Sequence, residues 1–356
     1  MVDFMAVFRR GSAVFFAALL AACAPQAKPT PPANTTPTAT ASSERSPDHK
    51  NCFSSKSDKG YSPTRALQGC DAIIKSGTAT GKYLAKIHNN RGVEYQRRGD
   101  ADLAETDYRT AVSINPSYVL GWYNLSKILH KQQRYEEAVA AATSTIAADD
   151  GDARGYRRRA RSLRELGRYP EARQDLEVAF TINPDDAWTH RESGYLYADN
   201  GEFELGLAAL RKGYELDPDN TSSQYGLAYG LDDVGRYREA LVLLDKSIAT
   251  EQTVELRNLR GLIYSDRSEE VRNLPRAIDD LRWVIAADEK YAYAYYNLSR
   301  AYAHAGQNED ALRLLRRGLN VEVRRGQAQD IIKALRANGA QPSAVKAGRL
   351  LADAEG

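Results

Sequence analysis

Along residues 153–186, apolar and small side chains recur at Tyr156, Ala160 and Leu163, then at Ala172, Leu176 and Ala179. Each trio is spaced i, i+4, i+7, which gathers side chains on one face of an α-helix. Polar residues fill most of the positions between. Gly167 separates the trios, and Asn183-Pro184 follows the second. Glycine accepts the left-handed conformation at which many helices stop, and proline cannot continue a helix. The segment therefore predicts two short helices joined by a tight turn.

The same grammar returns along most of the chain. Gly92, Ser126, Ala160, Gly194, Ala228, Gly261 and Ser299 follow one another at spacings of 34, 34, 34, 34, 33 and 38. Ala104, Ala138, Ala172, Gly206, Ala240, Ala277 and Ala311 trail them by 12 residues, or by 16 at Gly261/Ala277. Gly99, Gly201, Gly235 and Gly306 repeat the first stop, and Pro116 and Pro218 the second. Such a period signals stacked helix pairs rather than one closed core. Small residues let the helices approach, while Tyr and Leu fill the spaces between.

The run Trp122-x-x-Leu125-Ser126-x-x-Leu129, then Ala138, resembles the consensus W-x2-L-G-x2-Y…A of the tetratricopeptide repeat, TPR. The resemblance implies an all-α, right-handed superhelical solenoid of about seven helix-turn-helix repeats. They occupy 85–118, 119–152, 153–186, 187–220, 221–253, 254–291 and 292–325. Asp150 and Gln252 replace the closing proline in two units. About four extra residues around Arg267–Pro275 should lengthen the turn of the sixth. Both ends of a solenoid need covering. Ser62-Pro63 reads as an N-cap with proline at the first helical position, opening a single cap helix that ends at Gly77. Ala328, Ile331, Ile332 and Leu335 give a C-terminal cap helix ended by Gly339. Residues after Gln341 form one more short helix or fray.

The N-terminus follows other rules. Arg9 and Arg10 precede an apolar run from Ala13 to Ala22, too short to span a bilayer but suited to a signal peptide. The run ends in Leu20-Ala21-Ala22-Cys23, which resembles the bacterial lipobox. That resemblance implies cleavage before Cys23 and a lipid, palmitate included, on it; ordinary cleavage after the small residues is the alternative. Ala24 resembles the residue of lipoproteins sorted to the outer membrane. Residues 24–50 are rich in Pro, Thr, Ala and Ser, with hardly a large apolar side chain, and read as an extended tether. The expected organisation is signal peptide 1–22, tether 23–50, N-terminal cap 51–84, repeats 85–325, and C-terminal cap and tail 326–356. If Cys23 is lipidated, Cys52 and Cys70 remain as a pair. In an oxidising compartment they join across a 19-residue loop, worth roughly 3 kcal/mol, or stay as two buried thiols.

In TPR stacks the first helices line the concave side. Opposite the packing stripe, the third unit presents Arg154, Arg157, Arg161 and Arg164. Neighbouring units add Lys127, His130 and Lys131 before them and Arg191 after. The face then turns aromatic at Trp188, Tyr195, Tyr225 and Tyr229, and acidic at Asp232, Asp233 and Glu255, before Tyr293, Tyr296 and Arg300. Guanidinium forks suit carboxylates or phosphates, and Tyr and Trp offer rigid contact area. The competing reading is a solvated face with local pairs, such as Arg161 with Glu165. TPR domains that grip a terminal carboxylate use a clamp over three units. This chain matches it at Asn124, Arg154 and Arg158, and departs at Asn89 and Val93.

Charge adds little: 49 basic against 47 acidic residues give a net of +2, which does not call for nucleic acid. No catalytic constellation, cofactor motif or metal-ligand spacing is present, so an enzyme is not expected. The expected role is a lipid-anchored periplasmic adaptor that takes an envelope protein or acidic peptide into its groove. The alternatives are a pilotin or assembly lipoprotein for an outer-membrane secretin or pilus, and a binder of anionic envelope polysaccharide.

Overall fold

The computed structural model describes residues 46–55 and 57–355. The expected signal peptide, Cys23 and most of the tether lie outside the described residues. Pro47–Lys50, assigned to the tether by composition, belong instead to a short helix α1 (Pro47–Cys52). Ser46 caps it, and its hydroxyl accepts from the His49 amide at 3.0 Å. The N-terminal cap is thus two helices. The second, α2 (Pro63–Ser76), starts at Ser62 and stops at left-handed Gly77. Cys52 and Cys70 are joined, Cα to Cα 4.7 Å, and tie α1 to α2. Gly69 makes that contact possible, because a Cβ there would fall 2.5 Å from the Asp48 carbonyl oxygen.

Seven helix pairs follow. They are α3 (Gly81–Arg98) with α4 (Ala101–Ile114), α5 (Val119–Lys131) with α6 (Tyr135–Ala148), and α7 (Ala153–Glu165) with α8 (Tyr169–Ile182). Next come α9 (Ala187–Asp199) with α10 (Phe203–Leu216), and α11 (Thr221–Asp233) with α12 (Tyr237–Thr250). The last two are α13 (Val254–Leu262) with α14 (Leu274–Ala287), and α15 (Ala292–His304) with α16 (Asn308–Val321). The small positions are where helices of a pair meet. A Cβ on Gly194 would lie 2.4 Å from Leu210 Cγ, and one on Gly261 2.7 Å from Leu281 Cγ. Each first helix also packs on the first helix of the next pair, whereas among second helices only α16 meets its successor comparably. This asymmetry puts the first helices on the inside of the curve.

The sixth unit departs from expectation. The extra residues of the sixth unit do not simply lengthen a turn; α13 runs into a π-helical segment, Ile263–Arg267, before the chain returns to α14. At the C-terminal end, of the two expected outcomes, the further helix holds and the fraying does not. α17 (Arg325–Ala337) stops at left-handed Gly339, and Gln341–Glu355 form a full helix, α18, packed on α16 and α17.

Candidate functional site: the inner face of the first helices

The third unit's arginines are not a bare cationic stripe. Arg157 forms a short ion pair with Asp186, the N-cap of α9, whose carboxylate also accepts from the Thr189 amide and hydroxyl at 2.6 Å. Burial pushes the Asp186 carboxyl up, but the Thr189 and Arg157 hydrogen bonds outweigh it and hold the group below its ordinary range. Arg164 bonds Asp199 at 2.5 Å and Glu165 at 2.7 Å. Arg154 folds back onto Asp152 at 2.6 Å. The expected Arg161–Glu165 pair is replaced: Glu165 goes to Arg164, and Arg161 has only Glu192, at 3.8 Å. Each partner of Arg157, Arg161 and Asp199 sits one repeat away, because adjacent first helices present successive repeats side by side.

Toward the N-terminal side, guanidinium and aromatic planes alternate. Arg158 lies 5.0 Å from the Tyr123 ring centroid and 4.7 Å from that of Trp188, and donates to the Tyr123 hydroxyl at 3.1 Å. Arg157 covers Trp188 at 4.4 Å, and Arg154 faces Tyr123 at 5.6 Å. Desolvation would raise the Tyr123 phenol, yet the Arg158 charge and hydrogen bond bring it below its ordinary value. Lys127 is exposed beside this stack. The carboxylate-clamp positions are mostly spent on the fold. Asn124 donates to Asn89 at 2.8 Å, and Arg154 is held by Asp152. Tyr123 was a missed member of the site, although it occupies the same groove register as Arg157. His130, half-buried nearby, has its pKa lowered to about 3 by desolvation and by Arg161, Arg158 and Arg164, so it stays neutral.

Arg161, Arg164, Arg191, Tyr195, Tyr225 and Tyr229 share one cavity of about 590 Å³ on the inner face. Its walls come from five successive first helices. α7 gives Arg161 and Arg164, and α9 gives Arg191, Glu192, Tyr195 and Asp199. α11 gives Tyr225 and Tyr229, α13 gives Glu255, and α15 gives Tyr293. The Tyr195 and Tyr229 rings meet edge to face at 5.7 Å, and Tyr225 stacks on Tyr229 at 6.2 Å. Burial raises the phenols of Tyr195 and Tyr225, and that of Tyr229 to about 12, so all three remain neutral hydrogen-bonding groups. Arg324 holds the Tyr293 wall, 3.9 Å over its ring and bonded to its hydroxyl at 2.7 Å. Lys127, Arg154, Arg157, Arg158 and Trp188 lie outside this cavity.

Further on, the inner face is structural. Tyr296 is buried and donates to the Glu322 carbonyl at 2.6 Å. Asp232 is buried rather than solvated, gripped by Arg267 of the π-helical segment at 2.7 Å. Arg300 is buried too, bonded to Asn297 at 2.9 Å. The histidines are equally occupied: His88 meets Asp107 at 2.8 Å, and His190 the Pro184 carbonyl at 3.0 Å.

Comparison with known proteins agrees with this architecture. A tetratricopeptide repeat family model matches residues 89–153, 132–187, 157–221 and 269–330, together more than half of the chain. Hsp70-Hsp90 organizing protein 2 of Arabidopsis thaliana is 22% identical over 241 residues, 62% of this chain but 40% of that protein. Cellulose synthase operon protein C of Xanthomonas axonopodis is 24% identical over 245 residues, 63% of this chain and 16% of that protein. The chain thus spans less than half the length of either relative. A tetratricopeptide repeat protein of Parabacteroides merdae superposes with a TM-score of 0.53 at 19% identity, over 71% of this chain and 97% of its own. That likeness concerns the fold alone. Repeat period, helix pairing and family match converge, and the chain belongs to the tetratricopeptide repeat family.

Proposed function

We propose that this protein is an adaptor of the bacterial envelope, held to a membrane by lipid on Cys23, that takes a segment of a partner protein into its inner cavity. The cavity carries the reading. It runs across five first helices, long enough for an extended segment, and sets Tyr contact area beside guanidinium groups. Rigid aromatics and arginines are the side chains that dominate recognition surfaces. Tetratricopeptide repeats as a class mediate protein–protein contacts, and the name of one relative describes a protein that organises two others. The anchor rests on Leu20-Ala21-Ala22-Cys23.

Anionic envelope polysaccharide is the second reading. Tyr walls next to guanidinium groups with unused donors favour it, and one relative is named for a cellulose synthase operon. Affinity capture from detergent-solubilised envelope separates the two. The wild type should retain a protein that Arg161→Glu releases; a soluble hydrolase marks an adaptor, and an oligomeric pore protein a pilotin. Glycan without protein would overturn the adaptor in favour of the second reading. Metabolic labelling with palmitate should mark the wild type but not Cys23→Ala, and an unlabelled wild type would remove the anchor.

A further inference from the structure

Hydrogen-bonding capacity of both signs is left over at one point of the cavity. Glu192 is only 3% exposed, and its Oε2 has no partner among the described residues. Its one ion pair, with Arg161 at 3.8 Å, is too long for a hydrogen bond. The other buried acids differ: Asp107, Asp175 and Asp280 are each gripped through both oxygens by arginine. A buried carboxylate short of donors is costly, so a native structure that keeps one leaves it for something. Arg161 makes no hydrogen bond among the described residues, and its Nε is buried without a partner. Arg191 reaches only the Ser223 hydroxyl, at 3.4 Å, and no carboxylate. Burial lowers the pKa of Arg191, as expected of a guanidinium with little to neutralise it. Arg157 and Arg164 on the same face already hold carboxylates within hydrogen-bond distance, Asp186 for the first and Asp199 with Glu165 for the second, although the Nε of each is also without a partner among the described residues.

We propose that Glu192, Arg161 and Arg191 together read an amide of the bound segment. Its N–H is given to Glu192 Oε2, and its C=O accepts from a guanidinium. A ligand carboxylate would suit the arginines but be repelled by Glu192, and an ammonium would do the reverse. An amide satisfies both and brings no net charge into the cavity. Tyr195 and Tyr225 supply apolar contact alongside. The amide comes from an Asn or Gln side chain or from the partner's own backbone. This inference rests on the groove holding a peptide segment.

The probe is a phage-displayed library of random dodecapeptides selected on the purified protein. Selected peptides should lose about tenfold or more in affinity for Glu192→Gln, which keeps the shape and removes the charged acceptor. Arg191→Met should weaken them similarly. If the amide is a side chain, exchanging one Asn or Gln for Asp or Glu in the peptide abolishes binding. If it is backbone, methylating one amide nitrogen does so instead. Peptides that bind wild type, Glu192→Gln and Arg191→Met within about twofold would overturn the inference and leave the groove reading standing. A library that yields no binder would overturn both.

Discussion

Arg159 grips Asp175 through both oxygens, Nε to Oδ2 at 2.8 Å and Nη2 to Oδ1 at 2.6 Å, and so locks α7 to α8. The same fork joins Arg91 to Asp107 and Arg260 to Asp280. In repeat register these are one pair of positions. The other four units hold Leu125/Ala141, Ser193/Ala209, Leu227/Leu243 and Leu298/Leu314 there. No unit mixes the two solutions. A buried ion pair is costly to break but often replaceable by apolar side chains. Arg159→Leu alone strands Asp175 and should cost about 3 kcal/mol. Arg159→Leu with Asp175→Leu, copying the fifth and seventh units, should fall within about 1 kcal/mol of wild type. Urea denaturation of the three proteins decides this, and additive losses would show that the fork has no apolar substitute.

Gln133 is the one described residue other than glycine with a left-handed backbone, φ 61°. It occupies the turn position held elsewhere by Gly99, Gly167, Gly201, Gly235 and Gly306, at φ between 70° and 89°. A side chain there pays about 1 kcal/mol of steric strain. Gln133→Gly should therefore raise stability by about 0.5–1 kcal/mol, despite glycine's greater freedom when unfolded. A lowered thermal midpoint would mean that the Gln133 side chain makes a compensating contact.

The repeat itself was legible because close helix approach leaves a mark in sequence. At Gly194 even a Cβ would fall 2.4 Å from Leu210 Cγ, the equivalent positions hold only Gly, Ala or Ser, and that constraint recurs at a nearly fixed interval. The groove was half legible. Periodicity put Arg161, Arg191, Tyr195, Tyr225 and Tyr229 on one face, and they line one cavity. The choice of partners was not visible. Arg157, Arg161 and Arg164 reach Asp186, Glu192 and Asp199, which are distant in sequence and adjacent only across neighbouring helices. Glu192 carried no signal, since its meaning lies in a partner it lacks. The π-helical segment was equally hidden, because extra residues reveal a length and not how the backbone absorbs it.

Asp233 predicts a pH dependence. Burial first, and then the neighbouring Asp232 charge, raise its pKa from 3.8 to about 6. The folded state therefore holds this proton more tightly than the unfolded chain. The resulting stabilisation is complete below about pH 3.8 and is lost as pH rises through about 6. Asp233→Asn removes the titration. Its advantage over wild type should be absent at low pH, grow through this window, and settle on the order of 1 kcal/mol above it, allowing for solvent screening of a half-buried group. Thermal midpoints of both proteins across that range give the answer; parallel profiles would contradict it.

Arg157 and Arg161 lie on one face of α7, yet they should respond differently to mutation. Arg157 is 12% exposed and is paired with the carboxylate that caps α9. Arg157→Met leaves Asp186 with its helix-capping bonds but without its cation, and should cost about 1–3 kcal/mol. Arg161 is 37% exposed, has no hydrogen bond among the described residues, and its one carboxylate is 3.8 Å away. Arg161→Met should move stability by no more than about 0.5 kcal/mol. Binding should show the opposite order, because Arg161 has no hydrogen bond among the described residues to give up, whereas Arg157 is committed to Asp186. Capture of the proposed partner should weaken with Arg161→Met and lose part of its salt dependence, since one cation has left the interface. Equal capture by wild type and Arg161→Met, with the same response to salt, would make Arg161 ordinary surface and shift recognition to the Tyr195, Tyr225 and Tyr229 wall.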